Sequence, residues 1–282
     1  MKFYVTSYHS NLIKDKDRLT AFYEGIKDYY HVIKHEKKHV TVFDIGCGSG
    51  VLSYFASKYF NSVIAIDIDK QIVDCAKRSF KENKIDNVSF INEDASSFEV
   101  PIFADLIICE MLDTALIDEE EVIVLNHLRK YLKKDGKIIP QGIINIAEPV
   151  SMKKNHIHYE DEKFHGKKPN YIVLGHAVKF ANIDFSELIV PEFKTTIDFT
   201  LNKNDNSINN DFRVNGIKLT TFTKINDNLI CGPTPMLNPP LFIPLNENYK
   251  NNKDFESDES KFSVKLEYIM GGGLKTIKAT LV

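Results

Sequence analysis

The 282-residue sequence predicts an α/β fold: a doubly wound, Rossmann-like parallel sheet, followed by an all-β barrel or sandwich domain. Three observations carry this. From about residue 40 to 140, apolar runs of strand length alternate with helical periodicity, the pattern of a parallel sheet with helices on both faces. The first run, Val42-Phe43-Asp44-Ile45, stops at Gly46-Cys47-Gly48-Ser49-Gly50, and helical spacing begins at once. After about Gly142 the period changes to two, and no helix of convincing length follows.

Composition narrows the class. A net charge of −3 and a pI near 6.3 give no bulk reason to expect nucleic acid as the partner, while leaving room for a local basic patch. With 27% charged and 43% hydrophobic residues, the chain reads as a soluble globular protein long enough for two domains. Met1 to Thr6 lack the apolar core of a signal peptide, and no apolar run reaches membrane-spanning length. Cys47, Cys75, Cys109 and Cys231 are scattered with no C-x-x-C pair. That points to reduced structural thiols, a cytoplasmic setting and no metal site.

Taken in order, residues 1–36 form an aromatic, turn-like segment (3–9) and then a helix over 11–35, with Leu19, Phe22, Ile26 and Ile33 at helical spacing. Residues 37–142 hold the alternating unit. Strands are expected at 40–45, 62–67, 88–92, 104–109 and from 137. Helices are expected at 51–59, 70–83 (Ile72, Val73, Ala76 and Phe80 on one side) and 119–132, the last closed by Lys134-Asp135-Gly136. Residues 143–282 are read as the β-domain. Its period-two runs lie at 195–201, 216–225, 262–268 and 274–282, with polar loops at 202–211 and 246–260. Gly271-Gly272-Gly273 marks a hairpin, and the Pro-rich stretches 232–236 and 239–240 must be loop.

The Gly-rich turn is where a ligand belongs. Gly46, Gly48 and Gly50 let the backbone approach it with no Cβ in the way, and the helix that follows presents unpaired N–H groups. Seventeen residues past Gly50, the next strand ends in Asp67-Ile68, a carboxylate placed to accept hydrogen bonds from two ribose hydroxyls. The glycines are spaced G-x-G-x-G, with Val51 where a dinucleotide fingerprint has its third glycine. In this the stretch, Asp44 included, resembles the S-adenosylmethionine (SAM) site of a class I methyltransferase more than a nicotinamide site. A nicotinamide enzyme stays as a rival, separable by parallel titrations.

The fourth strand ends in Glu110, and Glu119 follows nine residues later, with Met111 to Asp118 forming a loop at the ligand-binding edge. Here the chain resembles the protein arginine methyltransferases, whose double-glutamate loop puts two carboxylates nine apart at the end of this strand. Tyr4-x-x-x-Tyr8-His9 and Lys14-Asp15-x-x-Arg18 are similar to that family's N-terminal aromatic segment and helix. Leu132 to Pro140 is similar to its strand into the barrel, and the resemblance weakens after that.

The resemblance implies SAM as cofactor and arginine on a protein or peptide as acceptor, with Glu110 and Glu119 as catalytic residues. It implies that Arg18 holds the cofactor's carboxylate, that Tyr4 and Tyr8 fold the N-terminal helix over the site as a lid, and that Asp94, beside Ala95, reaches the adenine amino group. A homodimer is compatible with it. The chemistry suits the pair, because a guanidinium is always charged and presents a planar fork that carboxylates grip bidentately.

The chain also departs from the family pattern. Met111 stands for its Trp, Asp113-Thr114 for its Gly-Tyr, and the barrel's Thr-His-Trp is missing, with Asn238-Pro239-Pro240 nearby. The family histidine that helps accept the departing proton therefore has no counterpart. Alternatives remain: an N-methyltransferase acting on another protein, an RNA or a small cation, or a SAM-binding scaffold without catalysis. Glu119 can also be read as a first-turn acid facing a helix macrodipole.

Overall fold

The computed structural model describes residues 2–36, 39–160, 170–201, 213–249 and 261–282. Five strands, β1 (Thr41–Ile45), β2 (Ser62–Asp67), β3 (Val88–Asn92), β4 (Ala104–Cys109) and β5 (Leu132–Ile139), pair in parallel in the order β3-β2-β1-β4-β5. All six residues of β4 are buried, as are Val42, Phe43, Asp44 and Ile45 of β1. The strand order reverses between β1 and β4, so a crevice opens beyond their carboxyl ends.

Five helices accompany this sheet: α1 (Ser7–Lys14), α2 (Lys16–Ile33), α3 (Val51–Ser57), α4 (Lys70–Glu82) and α5 (Glu121–Leu128). The aromatic segment expected as a turn over 3–9 is helical from Ser7, because Thr6 caps it by accepting the His9 N–H. Asp15 caps α2 in the same way through the Arg18 N–H, which splits the expected single helix in two. The helix expected at 119–132 is shorter, running from Glu121 to Leu128 before a tight turn over Arg129–Tyr131. Lys134-Asp135-Gly136 does not close it. These residues lie inside β5, whose surplus length against β4 is taken up between the pairs Ala104–Leu132 and Leu106–Lys137.

The second part is antiparallel. It comprises β6 (Gly142–Met152), β7 (His158–Tyr159), β8 (Tyr171–Val173), β9 (Val178–Asp184), β10 (Glu192–Thr200), β11 (Val214–Asn226), β12 (Leu229–Cys231), β13 (Leu241–Tyr249), β14 (Lys261–Ile269) and β15 (Lys278–Leu281). One sheet runs β7-β13-β11-β6-β8, with β12 on β11 and β9 on β6; the other runs β10-β14-β15. The loop expected at 202–211 lies outside the described residues. Of the one expected at 246–260, residues 246–249 continue β13 and the rest lie outside.

The last strand starts at Lys278 rather than 274. The Gly271 and Gly273 N–H groups turn away to the carbonyls of Leu116 and Ile117, both at 2.9 Å. A continuous apolar core runs from Phe22 and Phe43 through Leu116 to Leu219 and Val264.

Candidate active site

The crevice is a cleft of about 250 Å³. Of the residues singled out from the sequence, Tyr8, Gly46, Asp67, Ile68, Asp94, Ala95, Glu110 and Glu119 line it; His9, Met111 and Met236 line it too. Arg18, Asp44, Gly48 and Gly50 are buried and do not.

The floor is the Gly-rich turn. Gly46 (φ 64°) and Gly48 (φ 51°) occupy the left-handed region, and each is crowded. A Cβ on Gly46 would meet the Met111 side chain at 2.6 Å, and one on Gly48 would meet the His9 ring at 3.0 Å. Glycine is required twice over, by conformation and by space. Asp67, the last residue of β2, braces this turn: its Oδ2 accepts the Gly48 N–H (2.8 Å) and its Oδ1 the Asp69 N–H (2.9 Å). Asp44 accepts the hydroxyl of Ser53, tying β1 to α3, and burial pushes its carboxyl up to about 7.

Glu110 closes β4 and forms an ion pair with Arg18. The two side chains are 9% and 5% exposed, so this is a buried pair. Burial raises the Glu110 carboxyl and the Arg18 charge pulls it back, leaving a net rise. Arg18 also donates to the Leu12 carbonyl at 3.3 Å, while its Nε is buried with no partner among the described residues.

Glu119 stands exposed at the rim, ahead of α5 rather than in its first turn. Partial burial and then the Glu110 charge raise its carboxyl. The two acids therefore share one cleft and repel each other.

The loop between them is held at every step. Asp113, buried, accepts the N–H groups of Asp118 (3.0 Å) and Glu119 (3.3 Å) and the hydroxyl of Tyr159 on β7 (2.9 Å). Burial lifts its carboxyl to about 6. The Thr114 hydroxyl donates to the Pro239 carbonyl (2.7 Å), and the Ala115 N–H donates to Thr221 on β11 (2.8 Å). Glu121 is wholly buried; its Oε2 accepts the Met111 N–H at 2.9 Å, and burial raises its carboxyl to about 8.

The N-terminal segment lies against the same cleft. Tyr8 is 60% exposed at its edge, and His9 rests on Gly48 with Nδ1 2.7 Å from Thr6 Oγ1. Tyr4 is not at the cleft. Its hydroxyl donates to Glu82 at 2.7 Å, which pins the segment to α4 instead. Asp15 does more than cap α2: its Oδ2 accepts the Thr234 hydroxyl and the Met236 N–H (3.1 Å), joining the N-terminal helices to the Pro-rich β-domain loop.

Sequence reasoning missed Asp113, Glu121 and the bridging role of Asp15. Asp15 was visible as part of Lys-Asp-x-x-Arg, and Glu121 as one of three consecutive glutamates. Asp113 stood out only as part of Asp113-Thr114, a departure from the arginine methyltransferase pattern, with no sign of its partners.

The model of the family described as ribosomal protein L11 methyltransferase (PrmA) matches residues 26–168, half of the chain. Over its full length the chain is 39% identical to a protein of Methanothermobacter thermautotrophicus, all of which is covered. It is 29% identical over 136 residues to protein arginine N-methyltransferase 7 of Drosophila willistoni, covering 46% of this chain and 20% of that one. Among solved structures, a chain of the Trypanosoma brucei PRMT1 enzyme-prozyme heterotetrameric complex with AdoHcy superposes with a TM-score of 0.70. That match covers 93% of this chain and 87% of the other at 16% identity, a likeness of fold. Among the described residues no helix is long and apolar enough to cross a membrane.

Proposed function

From a chain that belongs to the ribosomal protein L11 methyltransferase (PrmA) family and is a SAM-dependent methyltransferase, we propose an enzyme that methylates a guanidinium nitrogen of arginine in a protein. One observation carries the reading: Glu110 and Glu119 line one cleft, and the Glu110 charge, though paired with Arg18, still raises the Glu119 carboxyl. A cation with donors on two sides relieves that charge, and a guanidinium is such a cation. Glu110 already holds one, that of Arg18.

The cleft fits SAM on features of its own. Gly46, on the cleft floor, has a left-handed backbone and no Cβ, and the Nε of Arg18 is a buried donor with no acceptor among the described residues. In this reading Asp67 holds the ribose, Asp94 the adenine amino group, Ile68 and Ala95 the ring faces, and Arg18 the carboxylate. Bound SAM supplies an electrophilic methyl on a sulfonium, which leaves as a neutral thioether.

The protein's task is to orient and to stabilise charge. Glu110 and Glu119 fix the plane of the acceptor and draw its positive charge away from one nitrogen, which then faces the methyl. Near-attack positioning of this kind contributes up to about 7–11 kcal/mol. Glu119, exposed at the rim, gives the proton released on transfer a route to water. The scattered free thiols suit a cytoplasmic enzyme, and a homodimer belongs to the same reading.

Single-turnover transfer with saturating SAM tests the pair. Glu119→Gln is expected to slow it by on the order of 10²-fold or more, with SAM affinity little changed. A rate within a few-fold of wild type removes the double-glutamate mechanism.

A second reading has its own support. Arg18 engages Glu110, which leaves Glu119 as a single free carboxylate suited to an amine, and the matching family is one of ribosomal-protein methyltransferases. Labelled SAM incubated with lysate of the native organism, then residue-level mass spectrometry, separates methylarginine from methylated amine. Label in RNA or in a small cation overturns both readings, and no label at all favours a scaffold.

A further inference from the structure

We infer that Glu121 is a positioning residue for Glu110: it fixes the Glu110–Met111 peptide and so aims the Glu110 carboxylate. The inference rests on Glu110 being the group that meets the acceptor.

The geometry is direct. Glu121 is the first residue of α5, and its side chain turns back toward the end of β4 instead of out to solvent, with no exposed surface. Its Oε2 accepts the Met111 N–H at 2.9 Å and the Cys109 thiol at 3.4 Å. These two groups flank Glu110 in the chain. The Met111 amide belongs to the same peptide plane as the Glu110 carbonyl, so holding it sets the Glu110 backbone from which the carboxylate projects. On the other side Arg18 holds the carboxylate itself.

Among the described residues no cation is paired with Glu121: Glu110 and Glu119 both disfavour its anion, and Oε1 has no partner. A buried carboxylate in that setting neutralises instead of ionising. An orphaned buried oxygen is a standing cost in stability. A side chain kept for packing alone would do better as Met, which fills similar volume without a polar atom.

Packing and aiming therefore predict different outcomes. If Glu121 aims Glu110, Glu121→Met keeps the fold and SAM affinity but slows single turnover by on the order of 10²-fold, the scale for an ångström-sized misplacement. Glu121→Gln keeps an acceptor for the Met111 N–H and cannot ionise, so it restores turnover to within about threefold of wild type.

The decisive measurement is a double-mutant cycle with Glu110→Gln, scored by single-turnover rate and by calorimetric SAM binding. Aiming predicts that Glu121→Met does almost nothing further once Glu110 is Gln. Full turnover in folded Glu121→Met overturns the inference, as do additive effects or failure of Glu121→Gln to restore the rate. Each of these leaves the role of Glu110 standing. A near-normal rate for Glu110→Gln alone sinks the reading of Glu110 instead.

Discussion

Replacing Arg18 by Met should show how strongly the cleft depends on its one buried ion pair. Arg18 and Glu110 are both nearly inaccessible, so removing the cation leaves a carboxylate in low dielectric that keeps the Leu112 backbone N–H but has lost its counter-ion. Breaking such a pair from one side costs about 3–5 kcal/mol. That is a large share of the roughly 5–15 kcal/mol that holds a domain folded.

The penalty is capped by protonation. Burial already raises the Glu110 carboxyl against the pull of Arg18, and without Arg18 it rises further. The sign follows from linkage. An acid whose folded pKa lies above its unfolded value keeps a proton that the unfolded chain releases, so stability falls as pH rises through that interval. Arg18→Met should therefore lose more at pH 8 than at pH 5.5, and Arg18→Met/Glu110→Gln should recover most of the loss while staying inactive. Urea unfolding at both pH values is the assay. A single variant within about 1 kcal/mol of wild type at both, well below the cost of an uncompensated buried charge, would refute the argument, as would a double variant less stable than the single.

Asp67→Ala is expected to weaken SAM binding by about 1.5–3 kcal/mol and, because the same carboxylate holds the Gly48 and Asp69 N–H groups, to lower the thermal midpoint as well; unchanged affinity by calorimetry would place the ribose elsewhere. Asp15→Ala removes the α2 cap and the anchor of Thr234 and Met236, a loss of about 0.5–2 kcal/mol from the cap alone. In wild type, saturating SAM should slow proteolysis between Tyr4 and Arg18, and Asp15→Ala should lose that protection; equal cleavage in both, with and without SAM, counts against a lid.

The parts of the site legible in the sequence are those whose chemistry is local. The G-x-G-x-G turn, Asp67 at the next strand tip and Glu110 closing an apolar strand each stand out within a few residues, and the fold brings Gly46, Asp67 and Glu110 to one cleft. Glu119 needed only a nine-residue offset. Illegible were the residues whose partners come from far along the chain. Asp113 meets Tyr159 across 46 positions, and Asp15 meets Thr234 across 219. Periodicity also overran its element twice. Helical spacing continued through Asp15, where a side-chain cap intervenes, and it placed Glu119 inside α5 although the helix starts two residues later.

Distant partners in the second domain also hold the turn between the two glutamates. Ala115 and Leu116, between the two glutamates, have φ of 61° and 60°, a conformation that costs a non-glycine residue about 1–3 kcal/mol. Opposing that cost are the bond from Ala115 to Thr221 and those from Gly271 and Gly273 to Leu116 and Ile117, all supplied by the β-domain. At about 0.5–1.5 kcal/mol each, these bonds are of the size needed to hold the strained turn. Asp113 and Thr114, the residues that break the family pattern, face the same way, toward Tyr159 and the Pro239 carbonyl. Both positions thus have partners of their own in the β-domain. The β-domain thus shares the holding of the segment that spaces Glu110 and Glu119 with Asp113 inside it and Glu121 behind it.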